Sequence, residues 1–132
     1  MTEVPKSIKI LVLVNSIIGL ILVFFYLVAP YYYLSLVQWP FFDPYYTWAF
    51  GGVFLILSTF LLISIKKNLW DRCKIVLEIT IAWDILILVL NIFSLIFIAA
   101  PIISIITTWI YNILFIILSI VNIYFYNKKA KL

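Results

Sequence analysis

Four long apolar runs divide the chain, and each is the length of a membrane crossing. The first extends from Ile8 to Ala29. Its roughly 22 residues, at about 1.5 Å each, reach about 33 Å, enough for a hydrocarbon core about 30 Å thick. The others cover about 44–65, 75–99 and 102–126. Lipid offers no hydrogen-bond partners to a peptide group, so an open chain crosses it only as a helix. The pattern predicts an all-α integral membrane protein. Its four transmembrane helices form an up-down-up-down bundle, a single domain over 1–132.

Lys6 and Lys9 precede the first run, as they would in a signal peptide. The run exceeds the roughly 7–15 residues of a signal core, and Val28-Ala29-Pro30 is a poor cleavage site. An uncleaved first span is expected. Residues 30–43 read as an aromatic external loop, with Tyr31, Tyr32, Tyr33, Trp39, Phe41 and Phe42 suited to the headgroup layer. Asp43-Pro44 reads as a helix start, because Asp caps free N–H groups and Pro needs none at the first helical position. Residues 66–74 read as a short cytoplasmic loop with Trp70 as an interfacial anchor. In that loop, Asn68 and Asp71 resemble a capping pattern. Pro101 is expected at the first position of the last helix.

Composition agrees. Hydrophobic residues make up 67% and charged residues 11%, against about half and about a quarter in a soluble domain. The net charge of +4 does not point to nucleic acid, because the basic residues are confined to membrane flanks. Lys6 and Lys9 lie before span one. Lys66, Lys67, Arg72 and Lys74 lie between spans two and three, and Lys128, Lys129 and Lys131 follow span four. The two opposite loops have none. This positive-inside distribution predicts cytoplasmic N and C termini in the plasma membrane. The later clusters, Lys66, Lys67, Arg72, Lys74, Lys128, Lys129 and Lys131, also suit anionic lipid headgroups.

Polar residues inside the spans form stripes. Span four carries Ser104, Thr108, Asn112, Ser119 and Asn122, and span three carries Thr80, Asp84, Asn91 and Ser94. Span one adds Asn15, Ser16 and Gly19. Such stripes should turn toward other helices or water. Asp84, Asn15, Asn91, Asn112 and Ser119 are therefore the candidate ion- or partner-contact residues. Depth allows Asp84, Asn15 and Ser119 to meet near the midplane. No basic residue of the chain lies at the depth of Asp84, and an ionised carboxylate there costs about 2.5–3.5 kcal/mol on insertion scales. Three readings stay open: a protonated structural clamp, a pair with a partner's cation, or a site for a proton or metal ion in transit. Glu78 lies four residues after Lys74 and is expected at the interface. Gly51-Gly52 is the expected helix-contact position, where two backbones approach closely.

Catalysis is not expected. Asp84 and Glu78 are six residues apart, about 120° around a helix, and form no dyad. No phosphate-loop, HExxH or GxSxG pattern occurs. The chain has one cysteine, Cys73, and no histidine, so no cofactor or metal site is expected. Cys73 reads either as an incidental thiol at the cytoplasmic rim or as a palmitoylation site.

The residues Asp43-Pro44, Gly51-Gly52, Trp70, Lys74 and Glu78 resemble small prokaryotic four-span membrane proteins, a resemblance that implies no activity. The excess of Ile and Tyr over Ala and Gly suits an archaeal or AT-rich source. The leading expectation is a non-enzymatic accessory or structural subunit of a larger membrane complex, with other membrane-protein subunits as partners; the alternative is a small homo-oligomeric transporter or channel using Asp84 as a proton or cation site.

The predicted topology can be checked with Ser35→Cys and Lys129→Cys, each in a background without Cys73. An impermeant thiol reagent outside intact cells should label the first only. Labelling of both from outside would break the four-span arrangement.

Overall fold

A computed structural model describes residues 2–41 and 43–130, with no strand among them. Phe42, Lys131 and Leu132 lie outside the described residues, and with them the headgroup contact expected of Lys131. Five helices follow one another: α1 (Lys6–Val23), continued by a π-helical turn (Phe24–Val28), α2 (Pro30–Val37), α3 (Pro44–Lys67), α4 (Trp70–Phe97) and α5 (Ile102–Ala130). Four stretches are long and apolar enough to cross a membrane: Lys6–Val28, Pro44–Lys67, Trp70–Phe97 and Ile102–Lys129. These are the features of a membrane protein. Its outward surface is a coat of Ile, Leu, Val and aromatic side chains, among them Ile10, Ile17, Ile56, Phe93, Ile110 and Ile120.

The helix ends follow local chemistry. Asp43 Oδ1 accepts a hydrogen bond from Tyr45 N at 2.9 Å, and Pro44 opens α3. Pro30 bars Ala29 from helical backbone, so α1 widens through an Ala29 N to Phe24 O bond of 3.0 Å and stops. The stretch 30–43, expected as a loop, instead contains α2, with Pro30 in its first turn. Gln38 ends α2 and Asn68 ends α3 in the left-handed region, each at φ 53°. Asn68 is therefore a terminator of α3 and not a cap for α4, and its Oδ1 accepts from Val4 N at 3.3 Å. Pro101 precedes α5 and does not occupy its first position; its carbonyl accepts from Ile105 N. The basic loop expected at 66–74 contracts to Asn68 and Leu69, because long basic side chains on a continuing helix can carry their charge outward.

Two apolar clusters hold the bundle. One joins Val4, Ile8, Val12, Leu61, Trp70 and Cys73 at the lysine-rich end. The other joins Leu22, Phe54, Ile87, Phe115 and Leu118 toward the aromatic end. Cys73, expected at the rim, is fully buried in the first.

Close approach occurs at two glycines, one of them unexpected as a contact. A methyl group at Gly51 would lie 2.7 Å from Leu27 Cγ and 2.9 Å from Tyr26 Cβ, so only glycine lets α3 reach the π-helical turn. A methyl group at Gly19 would overlap the Ser58 hydroxyl. Gly52 faces open space and makes no such contact.

Candidate functional site

Between the two apolar clusters lies a layer of polar side chains. Asn15 of α1, Ser58 of α3, Thr80 and Asp84 of α4, and Ser119 and Asn122 of α5 are all buried. Their burial fits a membrane setting, because lipid cannot hydrogen-bond an amide or a carboxyl.

The centre of the layer is a pair of asparagines. Asn15 Nδ2 donates to Asn122 Oδ1 at 2.9 Å, and Asn122 Nδ2 donates back to Asn15 Oδ1 at 3.0 Å. The second proton of Asn15 Nδ2 goes to Leu11 O at 2.8 Å. The second proton of Asn122 Nδ2 goes to Asp84 Oδ2 at 3.4 Å. An amide nitrogen has two protons to give, so both asparagines are fully used as donors. The network joins α1, α4 and α5 across 107 residues of sequence separation. The bond to Asp84 is long against the usual range of about 2.7–3.2 Å, so the acid is the loosest member. No salt bridge to Asp84 occurs among the described residues.

Of the expected contact residues, Asp84 and Asn15 do come together, but through Asn122 and not Ser119. Ser119 Oγ is buried without a hydrogen-bond partner among the described residues. Asn112 is buried with neither its Nδ2 nor its Oδ1 partnered among them. Asn91 is half-buried and lies away from the network, in the wall of a separate cavity. Two further hydroxyls are satisfied by their own helix: exposed Thr59 donates to Leu55 O, and Thr107, in the wall of the larger cavity, donates to Ile103 O.

Glu78 is exposed, 4.0 Å from Lys74 Nζ, and accepts a hydrogen bond from the Tyr126 hydroxyl. Trp70 is buried against the Tyr126 ring, and Lys129 Nζ stands 5.9 Å from the Trp70 ring centre. These residues close the lysine-rich end together with the Trp70 N to Thr2 O bond.

Two cavities bear on the site. A chamber of about 20 Å³ adjoins Asp84, with Asn15, Gly19, Ser58, Thr80 and Trp83 in its wall. That is room for about one water molecule. A much larger cavity of about 520 Å³ lies toward the aromatic end, between α2, α3, α4 and α5. Its walls include Tyr26, Tyr33, Phe50, Asn91, Ser94 and Tyr111, and exposed Phe41, Asp43 and Tyr46 stand at its rim. Burial, with the neighbouring Tyr26 and Tyr111 phenols, pushes the Tyr33 phenol above its ordinary range, so this wall stays uncharged. Phe54 and Phe115 belong to both cavities. Their rings stack with centres 6.3 Å apart and planes at 21°, and Trp83 meets Phe54 edge-on. This aromatic layer is all that the two cavities share.

Sequence reasoning found the stripe that contains Asn122 but not its role, because depth along one helix does not give the slide between helices. The cavities had no signal in the spacing of polar residues. Comparisons with protein-family models, curated proteins and solved structures give no match to this chain.

The network ranks three substitutions by thermal stability in detergent. Asp84→Asn keeps an acceptor of the same shape and should leave stability nearly unchanged. Asp84→Leu loses one long bond and should cost little. Asn122→Leu loses three and should cost about 2 kcal/mol, at about 0.6 kcal/mol per interhelical bond in membranes. A larger loss at Asp84→Leu than at Asn122→Leu would show that Asp84, and not the asparagine pair, holds the layer.

Proposed function

We propose that this chain is a small, non-enzymatic membrane transporter or channel in which Asp84 is a proton or cation site. The observation that supports it is the alignment of two cavities. The wide outer cavity ends on the Phe54–Phe115 layer, and the chamber beside Asp84 begins on the other side of the same two rings. Asp84 is the acid of that chamber, and its single, long bond to Asn122 leaves it free to exchange a partner. The transporter expected from the sequence was a homo-oligomer, because four packed helices leave little room for a pore within one protomer. The outer cavity supplies an entrance inside a single protomer. The proposal includes a plasma-membrane location, with termini and basic clusters on the cytoplasmic side, so that the wide cavity opens outward.

The accessory-subunit reading is favoured by a different observation. Asp84 already has a hydrogen-bond partner within its own chain, as a purely structural acid would. One experiment separates the two. Purified protein in proteoliposomes should pass protons or a monovalent cation, and Asp84→Asn should abolish that flux while keeping the fold. Flux that is absent, or unchanged in Asp84→Asn, would remove the transport reading and leave the accessory subunit.

A further inference from the structure

We propose that the outer cavity is a binding site for a lipophilic organic cation. Three observations point to this class of ligand. The first is size: about 520 Å³ falls within the roughly 300–1,000 Å³ of sites that enclose a small organic molecule. The second is the wall. Tyr26, Tyr33, Trp39, Tyr46, Phe50 and Tyr111 contribute to it. Aromatic faces are negative at the centre of the ring, and they attract cations, most strongly where water is excluded.

The third observation is charge. Among the described residues Asp43 is the one carboxylic acid in the lining, and no lysine or arginine belongs to it. All eight described basic residues lie elsewhere: Lys6 and Lys9 at the start of α1, Lys66, Lys67, Arg72 and Lys74 near the turn between α3 and α4, and Lys128 and Lys129 at the end of α5. An anion entering past Asp43 would meet one negative charge and no positive one. A neutral apolar molecule would gain nothing over the surrounding lipid. A cation with an apolar body gains from Asp43 at the rim, from the rings within and from burial of its hydrocarbon. Asn91, Ser94 and Thr108 add uncharged polar atoms deeper in the wall.

The inference stands on the outer cavity and is separate from ion passage at Asp84: equilibrium binding reads the one and flux reads the other. The test uses two ions of the same four-phenyl shape and opposite charge, tetraphenylphosphonium and tetraphenylborate. Binding of each to the purified full chain is measured by equilibrium dialysis in an uncharged detergent. The cation should bind saturably with one site per chain, at least about tenfold tighter than the anion. Asp43→Asn keeps the helix cap, since asparagine caps as well as aspartate, and should weaken cation binding about threefold to tenfold. Tyr46→Leu, at an exposed position, should weaken it by a similar factor, as expected for loss of one aromatic face. Asp71→Asn, at the far end of the bundle, should change nothing. Equal or non-saturable uptake of the two ions would overturn the proposal. So would cation binding that neither Asp43→Asn nor Tyr46→Leu alters, or that Asp71→Asn weakens equally.

Discussion

Burying an amide among hydrocarbon is costly unless another hydrogen-bonding group meets it, and in this protein Asn15 and Asn122 meet each other. Their paired bonds of 2.9 and 3.0 Å fix the slide of the first span against the last. Apolar packing alone would not, because lipid tails compete equally well for the surface of a leucine or isoleucine. With that register set, the other inward residues meet at defined levels. Ile8, Val12, Leu61 and Cys73 form the plug on one side of the polar layer, and Leu22, Phe54, Ile87 and Phe115 form the packing on the other.

The same arrangement accounts for where space is left. Small residues close the bundle at two levels: Gly51 against Tyr26 and Leu27 nearer the aromatic end, and Gly19 against Ser58 beside the polar layer. There the helices approach closely, and only a one-water chamber survives beside Asp84. Toward the aromatic end the inward side chains are rings, and the short helix α2 is inserted between the spans and the surface. The single hydroxyl proton of Ser104 is shared between Val37 O at 2.6 Å and Gln38 O at 2.8 Å, tying the end of α2 to the start of α5. Rings that meet at angles leave gaps, and the large cavity is the result. A narrow polar centre with a wide aromatic mouth follows from which residues are small and which are not.

Much of this frame was legible from the order of residues. The four spans follow from apolar length, and Asp43-Pro44 does open a helix. The ends were less legible, because Lys66, Lys67 and Trp70 extend helices that charge and aromaticity seemed to stop. Long lysine side chains can carry their charge outward while the backbone stays helical, and Trp70 packs inward against Tyr126. Helix α2 was hidden for a related reason: Pro30 and three tyrosines suggest an interfacial loop, yet proline in the first turn is an accepted helix opening. At the candidate site, Asp84 and Asn15 were recognisable as polar residues at matching depth. Asn122 was visible as part of a stripe, but which of Ser119 and Asn122 meets them depends on a slide of one turn between helices. Gly19 gave no more signal than Gly52, since what matters is the residue opposite. The outer cavity is a property of packed rings from four helices and has no linear signature.

The claim on which the account depends is that Asn15 and Asn122 hold the bundle as a pair, and a double-mutant cycle tests it most directly. Thermal or denaturant stability would be measured for Asn15→Leu, Asn122→Leu and the two together in the same detergent. Either single substitution breaks both amide bonds and strands the other asparagine in an apolar layer. The double substitution should therefore cost little more than one single, or even less, and the coupling should be clearly non-additive. Costs that simply add would mean that the two residues act independently, and the register of the bundle would then have to come from somewhere else.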